Sequence, residues 1–248
     1  MKALKRWGQN FLVDRNILGL MVKRAALSED DCVLEIGPGH GVLTRALLDE
    51  GVKCVHAVEV DERLRPELEE LAAKDSRLCL HWGDAVKFRY AELSPFPNKV
   101  IANIPYNITT PLIWELLKFA GLGLRYHLYM LQREAAERLT APPDTKARYP
   151  LGVCVEAMGR ACIVRGVPPS CFRPVPEVNS AITELVLERN FELAGDERWS
   201  ELLHRGFAHR RKTLANNLKG FAEAGSFGGK RAEDLSGDDW LKIYSSAV

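Results

Sequence analysis

The chain has 248 residues, 46% of them hydrophobic and 27% charged, with a formal net charge of +1. That balance marks an ordinary globular protein of one large domain, or a medium one with a small appendage. No stretch approaches the roughly 20 apolar residues that cross a bilayer, and the basic residues 1–7 lead into no hydrophobic core, which excludes a secretory signal.

Residues 10–27 read as a helix, with Asp14 or Asn16 near its start and Ile17, Leu20, Met21, Val22 and Ala25 forming an apolar stripe. Strand-like runs follow at 32–36, 54–60, 78–82, 99–103, 127–132, 161–167 and 182–188. Helical patterns lie between the first five, at 42–50, 62–74, 86–93 and 110–119. Such alternation predicts right-handed crossovers and a mainly parallel sheet covered by helices. The Pro-rich link 168–176 between the last two strands suits an antiparallel finish. Seven strands so arranged match the Rossmann-like α/β sheet of class I methyltransferases better than a dinucleotide dehydrogenase. Beyond residue 189 come helical patterns at 199–207 and 213–221, a Gly-rich loop at 224–229 and a short helix at 238–244 behind Ser236. The predicted organisation is therefore an α/β domain at 1–189 and a small helical domain at 190–248.

The near-neutral total hides an asymmetry. Residues 1–24 carry six Lys/Arg and one acid, Asp14, whereas residues 28–97 carry fifteen Asp/Glu against eight Lys/Arg. Residues 204–219 hold five Lys/Arg and two His with no acid. A polyanion feels the local field rather than the total, so Lys5, Arg6 and the run His209, Arg210, Arg211, Lys212 are candidate nucleic-acid contacts. The run also places cations at a predicted helix start, against the macrodipole, where phosphate would compensate. Six cysteines (Cys32, Cys54, Cys79, Cys154, Cys162, Cys171) lack C-x-x-C spacing, and no histidine pairs with them as a ligand set. All six are read as buried or incidental thiols of a reducing cytoplasm, with no metal site.

Four features fall at successive strand ends, where open α/β sheets bind ligands. The first is the turn Gly37, Gly39, Gly41, whose missing Cβ atoms allow φ > 0 and close backbone approach. The second is Glu59, placed to accept two ribose hydroxyls. The third is Asp84, placed to accept from an adenine amino group. The fourth is Asn103-Ile104-Pro105-Tyr106. In the G-x-G-x-x-G of dehydrogenases the third glycine lies one residue later, and here Pro38 interrupts the loop. A ligand with ribose and adenine but no phosphate, S-adenosylmethionine, fits the acids better. An exocyclic adenine amine is a poor nucleophile because its lone pair is delocalised into the ring. Acceptors on both of its protons, the Asn103 side-chain oxygen and the Ile104 carbonyl held by Pro105, would free that lone pair. Tyr106 offers a face for the base, and Phe172 in the Pro-rich loop is a candidate second face. Methyl transfer would then proceed by positioning and electrostatics.

The segments Gly8-Gln9-Asn10-Phe11-Leu12, 34–41, Glu59, 83–85, 103–108 and 172–181 together resemble the ribosomal RNA adenine N6-dimethyltransferases, from about residue 8 to 188. That resemblance implies that the segment around Asn10 and Leu12 closes over S-adenosylmethionine. Residues 207–218 further resemble the KsgA (RsmA) type. That branch dimethylates two adjacent adenosines in the 3′-terminal hairpin of small-subunit rRNA on the immature subunit; Ala215 stands where it usually has Arg. The implied enzyme is cytoplasmic, monomeric and free of metal and membrane. The alternatives are an Erm-type enzyme acting on large-subunit rRNA and a non-catalytic rRNA-docking module. Decayed cofactor residues would mark the latter, whereas Glu59, Asp84 and Asn103 are all present.

Overall fold

The computed structural model describes residues 10–219 and 221–246. A two-residue strand, β1 (Phe11–Leu12), precedes helix α1 (Arg15–Ala25). The Asp14 carboxylate caps α1, accepting the N–H groups of Asn16 at 2.8 Å and Ile17 at 3.1 Å. Alternation then proceeds as predicted: β2 (Cys32–Ile36), α2 (Val42–Asp49), β3 (Cys54–Glu59), α3 (Arg65–Lys74), β4 (Leu78–Trp82), β5 (Lys99–Asn103), α4 (Thr109–Leu117) and β6 (Tyr126–Gln132). The expected helix at 86–93 is only the 3-10 turn Tyr90–Glu92.

The central sheet has seven strands, completed by β7 (Gly159–Val167) and β9 (Ser180–Leu187), in the order β4-β3-β2-β5-β6-β9-β7. The first five are parallel, and β9 runs antiparallel to both β6 and β7. Every residue of β2 and β3 is buried, which is why they read as continuous apolar runs: helices cover both faces. Between β7 and β9 the chain forms β8 (Phe172–Arg173), which pairs antiparallel with β1, Leu12 opposite Phe172.

Two helices between β6 and β7 have no counterpart in the sequence pattern: α5 (Arg133–Leu139) and α6 (Pro150–Met158). All of α6 from Leu151 to Met158 is buried except Glu156. A helix enclosed on nearly all sides has no polar stripe, so its period is invisible, and its Val, Gly and Cys residues are weak helix formers.

The C-terminal helices are α7 (Glu197–Phe207), α8 (Leu214–Asn217) and α9 (Gly237–Ser246). Their buried residues Trp199, Leu203, Trp240 and Ile243 belong to the same apolar cluster as Leu116 of α4 and Met158 of α6. Arg148, wholly buried, adds a polar tie. It donates to the carbonyls of Leu235 (2.9 Å) and Ala141 (2.7 Å) and pairs with Glu156. Its charge is thus paired and hydrogen-bonded, the condition under which a guanidinium tolerates burial.

The cysteines require a correction. Cys32 and Cys54 are register partners on β2 and β3 and form a disulfide. His56, two residues on and therefore on the same strand face, brings a ring nitrogen within 4.8 Å of both sulfurs. Strand register, which Cys spacing cannot reveal, made this cluster unreadable. Cys79, Cys154, Cys162 and Cys171 are free thiols. No helix among the described residues is long and apolar enough to cross a membrane.

A Cβ on Gly206 of α7 would run into the indole ring of Trp240 on α9. Gly206→Ala is therefore expected to destabilise the fold by about 1–3 kcal/mol, measured by denaturant unfolding. Combined with Trp240→Phe it should cost less than the sum of the two single changes. Strict additivity would show that the two helices do not meet there.

Candidate active site

The turns after β2, β3 and β5 meet at the carboxyl end of the parallel strands. Gly37, Gly39 and Gly41 have φ of 67°, 58° and 70°, conformations that side-chain-bearing residues seldom adopt. The Gly41 N–H closes the turn on the Pro38 carbonyl at 2.9 Å, and Gly41 then caps α2.

Glu59 ends β3 and is buried. Its Oε2 accepts the Gly39 N–H at 3.2 Å, and its Oε1 accepts those of Val60 and Asp61, each at 2.9 Å. Burial raises its pKa, and the backbone donors oppose that shift. A carboxylate offers about four lone-pair positions; three are filled, leaving about one, on Oε2.

Asn103 ends β5. Its Nδ2 donates to the Asn10 carbonyl at 2.9 Å, so the amide oxygen is the end turned to other donors. Ile104 is buried, its N–H donating to the Met130 carbonyl at 3.2 Å. Tyr106 is half-buried, and its hydroxyl is hydrogen-bonded to Ser180 Oγ at 2.7 Å. Burial raises its pKa further above neutrality, so the phenol stays uncharged.

Asn10, Phe11, Gly37, Gly39, Glu59, Val60, Asn103, Ile104, Pro105 and Tyr106 line one cavity of about 50 Å³. It is small because Phe11 lies on Gly39, where a Cβ would come within 2.9 Å of the Phe11 ring. A second cavity, of about 490 Å³, shares the Tyr106 wall and runs toward α7; Thr109, Thr110, Trp114, Gln132, Arg138, Tyr149, His204 and Phe207 are among its lining residues.

Several predicted site residues lie elsewhere. Leu12 is a core residue, and its neighbour Phe11 lines the cavity instead; in a strand adjacent side chains take opposite faces. Gly41 faces Leu71 of α3 rather than the cavity. Asp84 borders a separate hollow beside Lys87 and Phe88, where its carboxylate accepts the Val86 N–H at 2.9 Å. Phe172 is a correction: with 0% exposure it packs in the core beneath α1 and β1 and presents no face for a base. Lys5 and Arg6 lie outside the described residues. His209, Arg211 and Lys212 are exposed in the link between α7 and α8. Arg210 is tied inward, donating to the Lys146 carbonyl at 2.6 Å and lying 5.0 Å from the Tyr149 ring. Since α8 is a single turn, the macrodipole expected behind this cluster is slight.

The sequence pattern also passed over Glu35, the residue before Ile36. It is wholly buried, accepts the Thr44 hydroxyl at 2.6 Å and feels the charge of Glu59. Burial first, then Glu59, pushes its pKa up to about 8 against the Thr44 hydrogen bond. Acidic residues before a glycine turn are common enough to carry no signal of their own; burial beside a second acid distinguishes this one.

The family model for ribosomal RNA adenine dimethylase matches residues 1–247. A ribosomal RNA small subunit methyltransferase A from Rubrobacter xylanophilus is 40% identical, over 97% of this chain and 93% of its own length. Its namesake from Chromobacterium violaceum is 38% identical over 96% and 93%. Among solved structures, a dimethyladenosine transferase from Plasmodium falciparum superposes with a TM-score of 0.82 at 26% identity, covering 96% of this chain and 98% of that one. The 23S rRNA methyltransferase ErmE gives 0.74 at 27%, covering 96% and 99%.

The Glu35 environment sets a pH dependence. The folded carboxyl keeps its proton up to about 8, whereas an unperturbed one loses it near 4.5. Between those values the unfolded chain binds fewer protons, so this group lowers stability as pH rises. Glu35→Gln, which cannot ionise, should melt higher than the parent at pH 8–9 and close to it at about pH 4, by paired thermal scans. A constant offset across pH would show that Glu35 titrates normally.

Proposed function

We propose that this chain, which belongs to the ribosomal RNA adenine dimethylase family, methylates N6 of adenosine in small-subunit rRNA. The observation that carries the proposal is the Asn103 amide. Its NH2 is committed to the Asn10 carbonyl, so its oxygen is the acceptor available to one N6 proton. The Ile104 carbonyl, on the buried segment held by Pro105, takes the other. Two acceptors favour a tetrahedral nitrogen and free its lone pair, and Tyr106, pinned through Ser180, supplies a fixed face for the base. Catalysis then consists of orientation and local electrostatics.

Family membership implies S-adenosylmethionine as methyl donor, and the residues fit it. Gly37 and Gly39 present backbone without side chains, and Glu59 keeps about one lone-pair position for a ribose hydroxyl. A second hydroxyl must share or displace one of the three backbone donors. Asn10 and Phe11 would cover the donor, whereas Asp84, turned to the Val86 N–H beside a separate hollow, would have to reorient to reach an adenine amino group. When bound, the donor supplies an electrophilic methyl on a sulfonium. A cavity of about 50 Å³ is far below the roughly 300 Å³ of small-ligand pockets, so entry requires the Phe11 ring to leave Gly39. Among the described residues that segment is held by the two-residue pairing of β1 with β8, by the Val13 N–H to the Cys171 carbonyl and by the Asn103–Asn10 hydrogen bond.

The small-subunit relatives support small-subunit rRNA as the target; the resemblance of residues 207–218 implies two adjacent adenosines near its 3′ end, and we infer a cytoplasmic monomer acting on immature subunits. Residues 190–248 would serve as the RNA-recognition part, with His209, Arg211 and Lys212 toward phosphate. The test is incubation with labelled S-adenosylmethionine and immature subunits lacking this modification, followed by primer extension. Label at the adjacent small-subunit adenosines supports the proposal; label in large-subunit rRNA alone overturns it.

Asn103→Ala should lower kcat by about 10²–10³, in line with loss of one transition-state hydrogen-bonding group. Donor affinity should change by less than about tenfold, the worth of the Asn10 hydrogen bond; calorimetry and single-turnover assays separate the two. Replacing Arg211 and Lys212 with Ala should weaken RNA binding and flatten the log K versus log salt slope by up to about 2. An unchanged slope would place these cations away from the RNA.

A further inference from the structure

The 490 Å³ cavity beyond Tyr106 is ten times the volume of the first one and plays no part in the chemistry at Asn103. Its floor is apolar, from Ile113, Leu139, Leu151 and Phe207, and polar groups from Thr110, Gln132 and Arg138 stand among its walls. An apolar bed with a few convergent polar groups is the composition of a ligand pocket, and it suits a flat base with a polar edge. Trp114, half-buried in α4, and Tyr149 contribute aromatic surface.

Two guanidinium groups flank the Tyr149 ring: that of Arg138, ion-paired with Glu134, lies 4.8 Å from it, and that of Arg210, 3.8 Å from the Glu233 carboxylate, lies 5.0 Å from it. Arg210 connects the cavity to the exposed Arg211 and Lys212. At the near end, Tyr106 lines both cavities, and its ring is anchored through Ser180. Cationic loop, aromatic cavity, Tyr106 and Asn103 therefore follow one another, in the manner of a groove that tracks a single strand and stacks its bases.

We propose that this second cavity receives the nucleoside next to the one presented to Asn103, so that two adjacent bases of one RNA strand lie on either side of Tyr106. The proposal rests on the rRNA adenosine methylation inferred above and extends it. Trp114 is the stacking surface for the neighbouring base, a specificity-determining residue that never touches the reacting nitrogen. A purine neighbour is favoured over a pyrimidine because it offers the larger face.

The test uses immature small subunits reconstituted with rRNA in which one of the two adjacent adenosines is uridine. Methylation of the remaining adenosine is compared with that of the intact pair. The parent enzyme should lose at least about fivefold in kcat/KM on the substituted RNA, in the range of one base–aromatic stack. Trp114→Ala should be slow on both RNAs with no further loss on substitution, and Trp114→Phe should restore the difference. Donor affinity, measured without RNA, should match the parent in both variants. Equal rates of the parent on the two RNAs would overturn the second-base site while leaving adenosine methylation intact, as would full sensitivity retained in Trp114→Ala. Failure of the parent to methylate even the intact pair would overturn both. Should Trp114→Ala not fold, Tyr149→Ala replaces it, and the parent's comparison of the two RNAs decides by itself.

Discussion

Three backbone N–H groups, from Gly39, Val60 and Asp61, converge on the Glu59 carboxylate, and the shape of the site depends on that convergence. One donor belongs to the turn after β2 and two to the end of β3. The acid thus fixes one strand end relative to its neighbour, and only a turn of positive-φ glycines brings the Gly39 N–H within reach. Burying a carboxylate is costly, and the three hydrogen bonds offset part of that cost. Glu35 lies one strand over without comparable compensation, holding a single hydroxyl from Thr44. The two acids therefore divide, with Glu59 satisfied by backbone and Glu35 kept neutral to about pH 8.

The parallel half of the molecule was legible because each strand there is a continuous apolar run between polar helix faces. The bounds of β2, β4 and β5 fall where the hydropathy changes. The glycine turn, Glu59 and Asn103 were legible for a related reason: topology places every parallel strand end on one edge, so residue type at those positions is informative. Asp84 shows the limit. Strand-end position brought it to that edge, but side-chain direction sent its carboxylate to the Val86 N–H of its own turn. Leu12 and Phe172 failed together and for one cause. The short pairing of β1 with β8 turns Leu12 and Phe172 into the core and leaves Phe11 facing Gly39, and nothing in two isolated dipeptides announces that they form a ladder.

What the sequence concealed most completely is the wall of the second cavity. It is built from α4, α5, the start of α6 and α7, and α6, enclosed on nearly all sides, carries no readable period. Residues such as Gln132 at a strand end and Tyr149 before a buried helix acquire meaning only once α7 packs across them. Arg148 ties the segment before α9 to α6, since its guanidinium reaches the carbonyl of Leu235 and the acid of α6 at once. The C-terminal helices share the apolar core of the sheet, so their placement is a consequence of folding and not of a later encounter with RNA. The larger cavity is accordingly preformed.

The hydrogen bond from Asn103 Nδ2 to the Asn10 carbonyl joins the two halves of the proposed chemistry. Asn10 immediately precedes β1, whose Phe11 covers the glycine turn; Asn103 would carry the proposed acceptor for the base. An amide can be read in two orientations, and only the one with NH2 toward Asn10 leaves oxygen for the adenine amine. Lifting the segment to admit a donor breaks the bond that selects that orientation, and reseating it restores the bond. Acceptor geometry at Asn103 is therefore tied to closure of the cofactor side. A base arriving while the segment is open meets an amide free to present either end, whereas one arriving after closure meets an oriented oxygen. The proposed chemistry would thus couple the order in which the two substrates bind to the rate of the first transfer, through a single neutral hydrogen bond.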